Sequence, residues 1–442
     1  MADHRSEPTQ RRIIILGGGF GGAYCAQALE KNLRGLHAEV LLIDRHNFFA
    51  FDPLLVEAGC GILEPRHVLV SLRRFLSSTV FRMAEVLAVD TEQCQVTYRV
   101  SGSDWTETVG YDHLVVSLGS ITQLPPVPGL KDYGFTLKHL ADAMALRDRA
   151  IQMLELAEAT PQAPRRRALL HFVVVGGSFT GVEVAGQFLM FFRQASQWYP
   201  SLRPEDCAVT LIQRSDRLLP PLDADLAAHA ADHLQRLGVQ LRLQTSAVEV
   251  GAHYVQLDKG ERLESYTVIW CAGIAPNPLL QDLPFPRNQQ GYLLCESDLR
   301  VQGLDNVWAI GDCAVNRDTE GQVYPATAQH AVRQGAHLAR NLARVLRGQP
   351  AQPCHIRSPG QLAALGHYAG VAKIKGFKFA GFPAWFLWRS VYLMKMPGWT
   401  QKLRVALDWS IELFFTPSFV QLDVSRLTPS QPEALDSEAP PV

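Results

Sequence analysis

The chain of 442 residues lacks several features that would fix its class at once. It has no C-x-x-C pair: Cys25, Cys60, Cys94, Cys207, Cys271, Cys295, Cys313 and Cys354 are scattered. That pattern speaks against a zinc site, and no metal is expected; it fits a reducing compartment better than a disulfide scaffold. It has no excess of charge of one sign, since 42 Lys and Arg meet 43 Asp and Glu for a net charge of −1, so no nucleic-acid partner is expected. It has no run of apolar residues long enough to cross a bilayer, and residues 1–11 lack the apolar core of a signal peptide. The apolar content of 47% is ordinary for a globular protein, and the length suits more than one domain.

What is present is organised around residues 12–44, which read RIIILGGGFGG and end, a helix later, in VLLID. The short apolar run before the glycines suits a strand buried on both faces of a parallel sheet. Gly17, Gly19 and Gly22 stand at G-x-G-x-x-G spacing. The first permits a tight turn, the second lets a pyrophosphate approach the backbone, and the third lets helix pack on strand. A helix starting near Phe20 points free N–H groups and the positive end of its dipole at that phosphate. Asp44 closes the second strand and can take the hydroxyls of an adenosine ribose. The competing reading is a glycine-rich βαβ turn without a ligand.

Downstream, residues 45–55 form an aromatic-rich loop, either a buried connection or, beside a flavin, a wall that includes Pro53. Residues 61–76 read as a loop leading into a basic helix, and residues 80–100 alternate like an antiparallel hairpin. YDHLVVSLGS, residues 111–120, reads as a buried strand ending in small residues, so that backbone from Ser117 to Gly119 can approach a cofactor. A stiff, proline-rich crossing follows, then a helix over about 138–159 and the boundary PQAPRRR.

The opening pattern then returns. Residues 169–181, LLHFVVVGGSFTG, are strand and turn again, keeping Gly176 and Gly181 but carrying Ser178 in place of the middle glycine. The next strand, VTLIQ, ends at Gln213 with Arg214 and Arg217 beyond it. An acid there would repel a 2′-phosphate; a neutral amide with guanidiniums nearby does not, so NADPH is not excluded by charge. Solvated surface arginines are the equal alternative. WCAGIAPN, with Gly273 in its turn, echoes VSLGS, and VWAIGDCA places Gly311 and Asp312 where a strand meets a helix. In a flavoprotein that carboxylate would accept from ribityl hydroxyls.

In this order, GGGFGG with its terminal acid, LGS, VVGGSFTGVE and AIGDCA resemble the two-dinucleotide flavoprotein superfamily. Residues 325–334, PATAQHAVRQ, are similar to the quinone-site motif A-Q-x-A-x-Q-Q of the type II NADH:quinone oxidoreductases. Ala328, Gln329, Ala331 and Gln334 match it, and Arg333 departs from it. The resemblance implies FAD in the first fold and NADH or NADPH in the second, with Glu183 beside the nicotinamide and a quinone reduced near Gln329. From chemistry alone, Glu183 can equally be a first-turn acid with only a capping role. Sulfide:quinone oxidoreductases share the fold, with Cys60, Cys271 and Cys313 as weak candidates for sulfur chemistry. A redox sensor without turnover is the non-enzymatic rival.

From residue 360 the chain changes character, with strands carrying Lys373, Lys375 and Lys378, then an aromatic segment interrupted by Arg389 and Lys395. A cation at a bilayer centre costs about 2.5–3.5 kcal/mol, so this segment is expected to lie in a membrane interface rather than to cross. A helix over about 400–415 would add Lys402 and Arg404 beside Leu403, Leu407, Trp409 and Leu413; a dimer interface is the alternative reading. The expected fold is α/β, with two Rossmann-like domains and a C-terminal amphipathic membrane-binding region. The expected division is 11–160 and 291–358 for FAD, 161–290 for NAD(P)H, 359–423 for the membrane surface and a disordered tail at 424–442. The expected protein is a monotopic enzyme on the cytoplasmic face of its membrane.

Overall fold

A computed structural model describes residues 10–318, 320–357 and 360–422; the polar N-terminal stretch before residue 10 and the tail expected to be disordered lie outside the described residues. The described chain divides into two units, one from residues 10–50, 69–121 and 274–357, the other from 51–68, 122–273 and 360–422.

The first unit is built on a seven-stranded sheet in the order Val307–Ala309, His113–Val116, Arg11–Leu16, Ala38–Asp44, Val80–Asp90, Gln95–Val100, Thr106–Gly110. Its first five strands run parallel and the last three form an antiparallel meander. Ile13, Ile14, Ile15 and Leu16 are fully buried, as a central parallel strand covered on both faces requires. Each such side chain contributes roughly 1.5–3 kcal/mol. The expected hairpin over 80–100 is present, extended by the third strand Thr106–Gly110. The helices Phe20–Asn32 and Ala328–Leu346 pack closely: a Cβ added at Gly335 would lie 2.5 Å from the Gly21 carbonyl.

The second unit carries an all-parallel sheet, Gly134–Thr136, Thr267–Trp270, His171–Val175, Ala208–Gln213, Gln240–Leu243, beside a three-stranded antiparallel piece from Ala247–Gly251 to Arg262–Glu264. It also takes residues 122–160, including the helix Leu140–Ala159, which sequence order groups with the first fold. The basic PQAPRRR stretch is not an open boundary but feeds the short helix Ala163–Leu169. Residues 61–76, shared between the two units, start irregularly and end in a short basic helix with Arg73 and Arg74, as expected, but with a 3-10 turn and a strand between. They form the 3-10 turn Pro65–Val68, the strand Leu69–Ser71 and a single helical turn, Leu72–Phe75.

The C-terminal part begins with the antiparallel sheet Gly360–Ala364, Gly370–Ile374, Phe377–Ala380 and ends with the helices Phe382–Lys395 and Trp399–Glu412. Two of the three lysines of that sheet region are not free surface charges. Lys373 pairs with Asp223 at 2.7 Å and Lys378 with Asp225 at 2.8 Å.

Candidate dinucleotide sites

Each glycine of the first turn is held to a different requirement. Gly17 has φ +98°, and a Cβ there would fall 2.3 Å from the Ser117 carbonyl oxygen; a Cβ on Gly22 would fall 1.9 Å from the Gly17 oxygen. At Gly19 a Cβ would meet nothing within 4 Å, so the middle glycine borders open space rather than packing. The helix behind it starts from Gly19 with no side-chain cap and no acid in its first turn, leaving its positive end for an anion. Phe20, its first residue, turns its ring onto Phe49, 5.6 Å away between centroids. This cradle therefore fits the pyrophosphate of a dinucleotide by its own geometry.

Asp44 ends its strand with a task of its own: Oδ2 accepts from the Gly18 amide at 2.6 Å and Oδ1 from the His46 amide at 2.7 Å. The acid thus braces the turn. On the other side, Ser117 is buried, and Gly119, at φ +67°, has open space over it. Gly311, at φ +75°, opens a 3-10 turn that carries Asp312, whose Oδ2 accepts from the Ser120 hydroxyl at 3.1 Å. Hence Ser117, Gly119, Gly311 and Asp312 fall in the unit that holds the first turn. Pro53 falls in the 3-10 helix Asp52–Leu54 of the other unit.

Sequence reasoning missed what sets Gly311. Gln334, buried, accepts from the Gly311 amide at 2.7 Å and from Asn316 Nδ2 at 3.3 Å. The quinone-motif match drew attention to this residue, yet its side chain braces the loop that holds Asp312. Ala328 and Gln329 stand on the first turn of the same helix, capped by Thr327, whose hydroxyl takes the His330 amide; such a cap contributes about 1 kcal/mol. Arg333 donates to the Arg357 carbonyl.

The second turn repeats the plan in the other unit. Gly176 has φ +112° and a Cβ there would lie 2.9 Å from the Ala272 backbone, while one on Gly181 would lie 1.8 Å from the Gly176 oxygen. Ser178 is the N-cap position of the helix Phe179–Ser196; its hydroxyl is exposed, 3.5 Å from the Cys271 carbonyl, and no acid stands in the first turn. Gln213 does for this turn what Asp44 does for the first, taking the Gly177 amide on Oε1 at 2.9 Å. Its Nε2 points to Ser215 and Arg217. Arg217 is tied to the Pro220 carbonyl at 3.0 Å, whereas Arg214 is exposed with no hydrogen bond or ion pair among the described residues. Gly273, at φ +77°, sits over Gln123.

Glu183 is not a first-turn capping acid. It lies beyond the first turn and accepts from the Ala364 amide at 3.2 Å. Burial pushes its pKa up to about 8, Glu57 adds to the rise, and the Ala364 amide opposes it. Arg389 is also not a surface cation. It is buried between the rings of Trp385 and Trp409, 4.3 and 4.9 Å from their centroids, and pairs with Glu57 at 3.4 Å and Glu412 at 3.3 Å. Trp409, expected on the exposed apolar face, is buried and donates to Glu57 at 2.7 Å.

Two glycine turns with bare helix ends, each followed by a strand-end residue that clasps its own turn, define a dinucleotide-dependent oxidoreductase of the FAD/NAD-binding fold. The family described as pyridine nucleotide-disulphide oxidoreductase matches residues 11–335, and the NDH2 C-terminal domain matches residues 359–416. The chain is 32% identical over 405 residues to demethylphylloquinone reductase NdbB of Synechocystis, covering 90% of this chain and 95% of that protein. It is 29% identical to the type II NADH:quinone oxidoreductase NdhA of Mycobacterium tuberculosis, covering 91% and 87%. The structure of NDH2 from Plasmodium falciparum in complex with NADH superposes with a TM-score of 0.85 at 20% identity, covering 93% of this chain and all of that one. The chain belongs to the type II NADH:quinone oxidoreductase family.

Proposed function

We propose that this enzyme holds FAD in the first glycine turn, takes NADH or NADPH in the second, and passes two electrons to a membrane quinone without pumping protons. The observation that carries this reading is the pair of turns built alike but finished differently, one with the charged Asp44 and one with the neutral Gln213. When bound, FAD supplies the relay between a hydride donor and a quinone. The chain's own part is to bind and orient. Gly19 leaves room for the flavin nucleotide's pyrophosphate, Asp44 and Asp312 take ribose and ribityl hydroxyls, and Gln334 fixes the loop that presents Asp312. Gln213 and Arg214 leave the second turn open to a 2′-phosphate.

Quinone reduction consumes two protons per quinol. One reaches the site with the hydride of NAD(P)H, and the other must come from water. Glu183, protonated below about pH 8, is suited to hold it. Gln329 is the residue assigned to the quinone. Relatives' names support the acceptor: the Arabidopsis thaliana relative, 28% identical, is an internal alternative NAD(P)H-ubiquinone oxidoreductase.

Membrane access rests on the last two helices. No helix among the described residues is long and apolar enough to cross a membrane. On the helix Trp399–Glu412, Val405 and Trp409 turn inward, while Trp399, Leu403, Leu407 and Ile411 turn out, with Phe386 and Phe414 exposed nearby in sequence. That stripe suits an interfacial helix with its apolar face in the bilayer surface.

Sulfide chemistry is the rival. It needs a thiolate, and burial pushes the Cys271 thiol up to about 12 and Cys313 up to about 11, while all eight cysteines are free. Comparing the two donors in quinone-reduction assays separates the readings. NAD(P)H should support turnover and sulfide should not; the reverse would replace this assignment.

A further inference from the structure

The helix Ala328–Leu346 has a buried face, with Gln334, Leu338 and Asn341, and a second face that neither glycine turn uses. Arg333, His337 and Arg340 follow one another at helical spacing along that second face. The irregular segment leading to residue 357 runs beside it and brings His355 and Arg357. Together they line a cleft of about 330 Å³, a volume at the lower end of those of small-ligand sites.

No carboxylate among the described residues lines this cleft. Its two walls are laced together through backbone carbonyls: Arg333 donates to the Arg357 carbonyl, and His337 Nε2 lies 2.9 Å from the Gln352 oxygen. Burial, with Arg340 nearby, pushes the His337 pKa down, and Asp298, which opposes this weakly, is itself beside Arg300 at 3.5 Å. The side chains of Arg340 and Arg357 are exposed and make no hydrogen bond or ion pair among the described residues. Three guanidiniums thus line one concavity without a counter-charge among the described residues, in a chain whose overall charge is balanced. Such a focus of positive potential attracts anions. Guanidinium forks match phosphate oxygens in pairs, which a scattering of lysines would not do.

We propose that this cleft is a binding site for a phosphate-bearing anion, separate from both dinucleotide turns. Arg340 and Arg357 grip the phosphate from opposite walls, and Arg333, restrained by the carbonyl it already serves, keeps the remaining N–H groups of its fork for the same ligand. The shared chemistry is a phosphoryl oxygen cluster, carried by a soluble phosphate or by a phospholipid headgroup.

The test uses the purified full chain with its flavin and a double variant, Arg340→Gln with Arg357→Gln. Both side chains are exposed, and flavin absorbance and melting temperature report whether the fold is kept. Inorganic phosphate is titrated by calorimetry, and co-sedimentation is measured with phosphatidylcholine vesicles with and without phosphatidylglycerol. Loss of about tenfold or more in phosphate affinity in the double variant supports a soluble-phosphate site. No phosphate binding, but a comparable loss of the phosphatidylglycerol-dependent part of vesicle binding, supports a headgroup site. Identical behaviour of the wild type and the double variant in both measurements overturns the proposal.

Discussion

At the first glycine turn a carboxylate, Asp44, takes the amide of Gly18; at the second a neutral amide, Gln213, takes that of Gly177. The surrounding scaffold differs little. Both turns open with a glycine at positive φ lodged against a neighbouring strand end, and both close with a glycine packed on the first one's carbonyl. What differs is the electrostatic finish and the middle position, open at Gly19 and occupied by the exposed hydroxyl of Ser178. The comparison teaches that the strand-end residue braces its turn in both units, and that recognition of the nucleotide is the further role proposed for it. Bracing needs only an acceptor oxygen, so it leaves the choice between a charged and a neutral strand end open.

The largest expected effects come from filling the turns. Gly17→Ala puts a Cβ 2.3 Å from the Ser117 oxygen at φ +98°, and Gly176→Ala puts one 2.9 Å from Ala272 at φ +112°. The backbone conformation alone costs an alanine on the order of 1–3 kcal/mol. Gly17→Ala should yield protein that has lost its flavin absorbance, whereas Gly176→Ala should keep the flavin and raise KM for the nicotinamide nucleotide about tenfold or more. Loss of flavin in both, or in neither, would erase the distinction between the turns.

Intermediate in size is the effect at Glu183. Its carboxyl is raised from 4.5 to about 8 in the folded protein, chiefly by burial. The native state therefore binds the proton more tightly than the unfolded chain does. The associated stability is complete below the ordinary value of 4.5 and is lost as pH rises through about 8. Glu183→Gln should flatten the fall of melting temperature across that window, a change on the order of a few kcal/mol. The same variant should remove a break near pH 8 from the rate of quinone reduction. A break that survives the substitution would assign the proton to another group.

The smallest expected effect is at the strand end itself. Gln213→Glu keeps an oxygen for the Gly177 amide but restores a charge. It should raise the preference for NADH over NADPH roughly tenfold while leaving melting temperature nearly unchanged. Unchanged selectivity in kcat/KM would show that the strand end braces without recognising.

Much of this plan could be read from local pattern. Apolar runs before glycines gave the strands, G-x-G-x-x-G gave the turns, and the lysine-bearing stretch after residue 360 gave a sheet. What escaped depended on partners distant in the chain. Arg389 reads as an interrupting surface charge because Glu57, over three hundred residues earlier, carries no local sign that it is waiting for a guanidinium. Breaking such a buried pair costs about 3–5 kcal/mol, which no windowed pattern reveals. Gln334 reads as a motif letter until the Gly311 amide is seen to rest on it. Glu183 reads equally as a cap or as a chemical group until Ala364 and Glu57 are placed beside it.

Under the proposed function the first cradle keeps a flavin while the second exchanges its nucleotide. Purified protein should be titrated anaerobically with NADH or NADPH while the flavin absorbance is followed, and quinone should then be added. Bleaching complete at about one equivalent of nucleotide, reversed by quinone, is the expected result. A colourless protein, or a flavin that the nucleotide leaves fully oxidised, would contradict it.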